Sequence, residues 1–423
     1  MSETKTKIFK GGAYLLSLQN VADVVTPEDL NEEQRMIAET ARDFAEKVHG
    51  QIPALEENKR TMSKPLLKEL GELGLLGLEV PEAYGGMGLD KVTTNVVLEE
   101  MARSGAFTAT FGAHTGIGTL PIVYFGTEEQ KKKYLPRMAT GEVRGAFSMS
   151  EPGLGSDVAA VKTKATKTTL DDGADGYRID GQKMWLTNGG TSNLVAVLAK
   201  TDEGNDSVYK NMTTFLVEKE PGFGETAPGL TIPGKLDKMG YKGVETTEAV
   251  FEGHQVSADQ VLGGATGQGF YQMMDGVEVG RVNVAARAVG IANRAFELAI
   301  AYAQQRETFG KPIAQHQAIL FRLAEMATKV ETAHAMMVKA ARLKDRGERN
   351  DVEAGMAKMI AAEYCNEVVQ DSFRIHGGYG YSKEYEIERL YREAAFMLIG
   401  EGTSDIQKMI IGRSLLKDYQ LKG

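Results

Sequence analysis

The feature that most limits how this chain can fold is a double change of hydrophobic period. From Leu320 through Leu323, Ala327, Val330, His334 and Met337 to Ala341, positions recur at alternating steps of three and four. That spacing keeps side chains on one face of an α-helix, and so long a face needs other long helices to cover it, which predicts a helix bundle. Helices are also predicted over 32–48, where Ile37, Ala41, Phe44 and Val48 repeat the spacing after Pro27-Glu28-Asp29-Leu30-Asn31, and over 64–73, 92–103, 128–138 and about 354–374. Between these helical regions, from about Arg144, the texture becomes that of strands. Val158–Lys167 alternates loosely, and Leu194–Ala199, Thr213–Val217 and Glu248–Phe251 are short β-prone runs between Gly, Pro and Asp clusters. Asp180-Gly181, lying between Tyr177-Arg178-Ile179 and Lys183-Met184-Trp185-Leu186, predicts a hairpin turn. The chain is therefore read as α+β, with a helical domain over 1–142, a small β domain over 143–259 and a second helical domain over 260–423.

Composition excludes several functions. A formal net charge of −9 offers no general attraction for nucleic acid or an anionic membrane, and Lys131–Lys133 reads as a solvated helix face. No apolar run approaches the ~20 residues of a membrane span, and Met1–Gly11 lacks the apolar core of a secretory signal. Cys365 is the only cysteine, so neither an intrachain disulfide nor a cysteine-rich metal site is available. It reads as a packed side chain, and a cytoplasmic location is expected. No metal site is expected, since no His-Glu-x-x-His occurs. There is no phosphate-binding Walker loop, no Gly-x-Gly-x-x-Gly between strand and helix, and no Gly-x-Ser-x-Gly elbow. His334 reads as a hydrogen-bonded core residue rather than a ligand.

Three stretches remain that could carry chemistry. In Phe147-Ser148-Met149-Ser150-Glu151-Pro152-Gly153-Leu154-Gly155-Ser156-Asp157 a strand runs into a loop of bare amides and small hydroxyls, suited either to a flat polar ring or to a simple bulge and turn. Trp185, the only tryptophan, stands two residues before Thr187, so a regular strand would project both to one face. In Ile399-Gly400-Glu401-Gly402-Thr403-Ser404-Asp405-Ile406-Gln407 an apolar approach would solvate a carboxylate poorly, raise its pKa and make Glu401 a candidate base. The plainer reading of the same turn is a helix start capped by Thr403 or Ser404.

Taken in order with Pro81–Gly86 and Gln305-Arg306-Glu307-Thr308-Phe309-Gly310-Lys311, these stretches resemble the acyl-CoA dehydrogenase family from about Asn31 to Gly423. The resemblance implies a helical N-terminal domain, a middle β-barrel or sandwich and a C-terminal four-helix bundle. It further implies assembly into homodimers or homotetramers with FAD at subunit boundaries, and transfer of electrons to an electron-transferring flavoprotein. Phe147, Ser148, Met149, Ser150, Trp185 and Thr187 match positions around the flavin, and Ser156 lies on the same loop. Arg306, Phe309, Gln317, Arg374, Gly377, Gly378, Thr403 and Asp405 match positions near the pyrophosphate and adenosine. Ser156, Glu278, Arg281 and Gly402 match substrate contacts, and Glu401 matches the base that starts conversion of an acyl-CoA to trans-2-enoyl-CoA.

The pattern is departed from at Gly400, where medium-chain members usually have tyrosine, and at Ser150, Glu278 and Arg374, where threonine, aspartate and glutamine are common. Gly280 stands where other branches place their base. Ile8-Phe9-Lys10-Gly11-Gly12, Gly112-Ala113-His114 and Gly280 resemble the very-long-chain branch, although the chain ends soon after Lys417 without that branch's membrane-associated region. A soluble enzyme for medium-to-long straight chains in fatty acid β-oxidation is expected. An oxygen-using acyl-CoA oxidase and, more remotely, a non-catalytic relative binding nucleic acid or acting as a scaffold are the alternatives.

Overall fold

The computed structural model describes residues 30–57, 59–201 and 204–418. The readings at Met1–Gly11 and Ile8–Gly12 lie outside them. The first helical region comprises α1 (Glu32–His49), α2 (Ile52–Glu57), α3 (Lys59–Glu72), α4 (Lys91–Met101), α5 (Phe107–Gly112), a π-helical turn (Ala113–Gly118), α6 (Leu120–Phe125) and α7 (Glu128–Ala139). Starts of helices follow from sequence chemistry. Asn31 with Gln34, and Thr127 with Gln130, each form a reciprocal capping box at the start of α1 and α7.

The β region contains β1 (Gly145–Ser148), β2 (Lys164–Thr169), β3 (Asp175–Thr187), β4 (Leu194–Lys200), β5 (Met212–Glu218), β6 (Gly224–Ala227), β7 (Leu230–Ile232) and β8 (Thr246–Ser257). They form one sheet in the order β1-β4-β2-β3-β8-β7-β6, with β5 paired to β4. Alternation along β4 shows why this layer sits where it does. Val195, Val197 and Ala199 enter the apolar core inside the β region, while Leu194, Ala196 and Leu198 enter a second core shared with α6, α7 and the following helix. A strand buried on both faces reads as a continuous apolar run, as Leu194–Ala199 does.

Two strand readings are corrected. Asp180-Gly181 is no hairpin turn, because β3 continues through it and pairs with β8 on both sides of a register shift at Ile179/Asp180. Gly181, at φ 144°, passes against Thr163, where a Cβ would lie 2.7 Å from that residue's Cα. Glycine in a bulge, rather than glycine in a turn, explains the dipeptide. Val158–Ala160 is a short 3₁₀ turn, and β2 begins only at Lys164.

The C-terminal bundle consists of α8 (Gly269–Gln305), α9 (Gln317–Asp345), α10 (Asp351–His376), α11 (Ile387–Met397) and α12 (Ser404–Asp418). α10 is central and packs against the other four. The α9 stripe is covered only in its second half: Val330, Met337 and Ala341 are buried, but Leu320 and its neighbour Phe321 stay 57% and 56% exposed. His334 Nδ1 donates to Glu99 Oε2 at 2.8 Å, so it is a half-buried structural residue. Cys365 is fully buried, and burial pushes its thiol pKa up. Among the described residues no helix is long and apolar enough to cross a membrane, and no acidic, histidine or cysteine cluster could hold a metal ion.

Candidate active site

The turn between α11 and α12 carries Glu401 in a left-handed conformation at φ 53°, followed by Gly402 at φ 93°. For a residue with a side chain this costs roughly 1–3 kcal/mol and persists only where neighbours over-determine it. Several do so here. Lys358 Nζ on α10 donates to Gly402 O at 2.7 Å, and Gln407 Nε2 donates to Glu401 O and Gly402 O at 3.4 and 3.2 Å. Thr403 Oγ1 accepts from the Ile406 amide at 3.3 Å, so Thr403 does cap α12. The base reading and the cap reading therefore describe different residues of one turn.

The turn aims the Glu401 carboxylate at α8. A Cβ placed on Gly280 would stand 1.7 Å from Glu401 Oε2, so this glycine is the seat of the carboxylate. The side chain as a whole keeps 19% of its accessibility, but Oε2 is shut off from solvent and has no hydrogen-bond partner. Oε1 lies 3.9 Å from Arg287 Nη2, too far for a strong ion pair. Burial raises the Glu401 pKa, and the nearby charges of Arg287, Lys358, Arg281 and Lys91 oppose that rise. A carboxylate so placed has a free lone pair and a raised proton affinity, which suits it to accept a proton from carbon.

One face of α8 gathers the rest. Gly276, one turn before Gly280, faces Phe147, whose Cε2 lies 3.7 Å from where a Cβ would be. Phe147 on β1 and Glu401 thus meet adjacent turns of one helix. β1 is itself fastened by His114: the Gly145 amide donates to Nδ1 at 3.0 Å, which leaves Nε2–H to donate to Met138 O at 3.0 Å. Only the neutral ring satisfies both bonds, and burial pushes its pKa down to about 4. Beyond β1, the buried Glu151 carboxylate accepts from the Lys162 and Thr163 amides, Thr163 Oγ1 and Lys183 Nζ. Lys183 Nζ also donates to Met149 O, and the Met184 amide donates to Ser150 O at 2.9 Å. These ties hold the loop against β3 just before Trp185.

On that surface Phe147, Met149, Ser150 and Thr187 are half-buried and Ser156 is exposed. Ser148 Oγ is buried without a partner. Trp185 is 57% exposed at φ 63°, inside a register shift between Lys183 and Leu186. The regular alternation that predicted Trp185 and Thr187 on one face is broken there, so spacing alone does not establish that pairing. On α8, Arg281 is 9% exposed with Nε unpartnered, and Glu278, half-buried three residues earlier, has its pKa raised by burial.

The other predicted residues gather elsewhere. Arg306, Phe309, Gln317, Arg374, Gly377 and Gly378 are all exposed, Phe309 to 96%. Arg306 lies over the Tyr379 ring, 5.9 Å from its centroid, which joins the end of α8 to the turn after α10. At ~1.5 Å per residue this end is about 38 Å along α8 from Gly280. Asp405 is exposed beside Lys408, on the Glu401 side. Among the residues that resemble the very-long-chain branch, His114 serves as a buried tie, Gly280 makes room for a carboxylate, and a Cβ on Gly112 would meet Leu98 at 3.2 Å.

Sequence reasoning missed Arg287, Lys358 and the structural role of His114. The signal for the first two was a basic residue among small and apolar ones, Val284-Ala285-Ala286-Arg287-Ala288 and Gly355-Met356-Ala357-Lys358-Met359.

Comparison with known proteins identifies the family. Profiles for the N-terminal, middle and C-terminal domains of acyl-CoA dehydrogenase match residues 31–142, 146–254 and 267–416. A probable acyl-CoA dehydrogenase of Bacillus subtilis (strain 168) is 40% identical over 392 residues, 92% of this chain and 99% of that one. The short-chain specific mitochondrial acyl-CoA dehydrogenase of Homo sapiens is 36% identical over 393 residues, 93% and 92% of the two chains. The crystal structure of an acyl-CoA dehydrogenase complexed with FAD from Bacillus anthracis superposes with a TM-score of 0.89 at 37% identity, covering 97% of this chain and 71% of that one. The chain belongs to the acyl-CoA dehydrogenase family.

Proposed function

We propose that this protein is an FAD-dependent dehydrogenase that converts a fatty acyl-CoA to its trans-2-enoyl-CoA, with Glu401 as the base. The observation that carries the reading is Glu401 Oε2, buried, unpartnered and seated on Gly280. Glu401 takes the proton from the carbon next to the thioester carbonyl. Its buried position keeps the carboxylate basic and excludes water from the site. Arg281, Glu278, Gly402 and Ser156 are assigned to the substrate.

The residues present fit FAD. Ser148 Oγ has no partner, nothing lies within 4 Å of a Cβ on Gly153 or Gly155, and Trp185 is an exposed aromatic on the strand that Met184 ties to Ser150. Phe147, Ser148, Met149, Ser150, Ser156, Trp185 and Thr187 would hold the ring side, with Thr403 and Asp405 nearby. When bound, FAD supplies the acceptor for the hydride that leaves the β carbon. Arg306, Phe309, Gln317, Arg374, Gly377 and Gly378 would hold the pyrophosphate and adenosine end for a second copy, since they stand far along α8 from their own Glu401. A homodimer or homotetramer follows from that division, and the exposed Leu320 and Phe321 support it. Electron-transferring flavoprotein is assigned as acceptor and the cytoplasm as location. Medium-to-long straight chains are assigned as substrates.

Anaerobic titration of the purified protein with saturated acyl-CoAs of graded length tests this directly. Bleaching of the flavin band is expected, strongest for medium-to-long chains. Absence of bleaching with every chain length would remove the function, and a maximum at the shortest chains would remove only the chain-length assignment.

A further inference from the structure

Lys358 is fully buried in α10, where an ammonium group is costly unless something compensates it. Among the described residues no carboxylate forms an ion pair with it; the bond its Nζ makes is to Gly402 O, at 2.7 Å. A neutral donor already serves that oxygen, since Gln407 Nε2 lies 3.2 Å away. What the lysine adds is therefore a positive charge and a tie to a different helix. Gln407 belongs to α12, which starts at the end of the same turn, whereas Lys358 ties the turn to α10 at the centre of the bundle. Gly355, one turn earlier on α10, faces the same element, with Gln407 Oε1 3.4 Å from where its Cβ would be.

The charges around these two groups come from three helices. Lys358 is faced by Glu401, by Glu363 of α10 and by Arg281 of α8. Glu401 is faced by Arg287 and Arg281 of α8, by Lys358 of α10 and by Lys91 of α4. Lys91 is already neutralised by Glu79 at 2.6 Å, and Arg287 stands off at 3.9 Å.

We propose that Lys358 is a positioning residue for the base: its bond to the Gly402 carbonyl holds the left-handed Glu401–Gly402 turn against α8, and its charge keeps the Glu401 carboxylate ionised to lower pH than burial alone would allow. The proposal rests on the reading of Glu401 as the base. It also separates two jobs that a single carboxylate requires. Burial on Gly280 gives proton affinity, and the buried cation prevents that affinity from rising until the base is permanently protonated.

The sign of the effect follows directly. Removing a positive charge raises the Glu401 pKa, so the acid limb of the pH profile moves to higher pH. Burial lowers the pKa of Lys358 itself to about 8, so it carries its charge below that pH.

The test uses the FAD-loaded full chain with Lys358→Met, whose side chain has nearly the same length and no charge, and with Lys358→Arg, which keeps the charge. Two quantities are read: the pH profile of anaerobic flavin reduction by an acyl-CoA, and amide hydrogen exchange across 399–407 in the unliganded protein. With Lys358→Met the acid limb is expected to rise by about one pH unit or more, as for loss of one close opposite charge, and exchange in 399–407 to accelerate about tenfold; Lys358→Arg restores the limb. A uniform loss of rate with an unmoved limb, or unchanged exchange in 399–407, overturns the proposal. Lack of any flavin reduction in the wild type instead overturns the dehydrogenase reading, and the exchange measurement still decides whether Lys358 holds the turn.

Discussion

The two ends of α8 are finished to very different degrees. Around Gly280 the chain itself supplies a seat for the Glu401 carboxylate, a turn held from α10 and α12, and a β strand fixed by a buried histidine. Beyond Gln305 it presents Arg306, Phe309 and the Gly377–Gly378 turn to solvent. Phe309 there adopts φ 54° while 96% exposed, a conformation with little in its own chain to hold it. The difference teaches where self-sufficiency ends. On the proposed function, proton abstraction is built within one subunit, whereas retention of the cofactor would depend on a surface shared with another copy.

Breaking the first end should cost far more turnover than breaking the second. Gly280→Ala puts a Cβ 1.7 Å from Glu401 Oε2 and must displace the carboxylate, and misplacement by ~1 Å costs about 100-fold. Stopped-flow flavin reduction should fall by that order with FAD still bound. Arg306→Ala at the other end should leave reduction in the FAD-saturated enzyme nearly unchanged, yet weaken FAD binding about 10–100-fold, the worth of one charged hydrogen bond. A fluorescence titration of apoprotein with FAD reads that loss. Equal damage to both measurements by either variant would dissolve the distinction.

His114 gives the smallest effect on turnover and a clear one on stability. Its folded pKa is depressed to about 4 against an ordinary value near 6.5, so its contribution is full above about pH 6.5 and is lost as pH falls through 4. That window is worth about 3 kcal/mol. Urea unfolding of wild type should lose that much between pH 7 and pH 4 beyond what His114→Gln loses, because glutamine offers one donor and one acceptor without titrating.

The same contrast explains what the sequence revealed. The helix–strand–helix order was legible because period is a local property: β4 and β5 appear as Leu194–Ala199 and Thr213–Val217, and α1 shows its cap at Asn31. The turn at Glu401 was visible through its flanking glycines. Asp180-Gly181 misled, since a dipeptide cannot reveal that β8 pairs on both sides of it. Lys358 and Arg287 were invisible as active-site groups because they lie 43 and 114 positions before Glu401 and reach it only through the packing of α10 and α8. The covered half of the α9 stripe follows from this chain alone, and its half around Leu320 stays exposed, which periodicity does not reveal.

The proposed chemistry turns on Glu401 acting as the base. The direct measurement is anaerobic flavin reduction by a saturating acyl-CoA in Glu401→Gln, an isosteric change that removes the proton acceptor while leaving the turn and the FAD-facing surface in place. The flavin should remain bound with an oxidised spectrum while the rate of bleaching falls ~10⁴-fold, the upper range for loss of a general base. Bleaching at the wild-type rate in this variant would contradict the account.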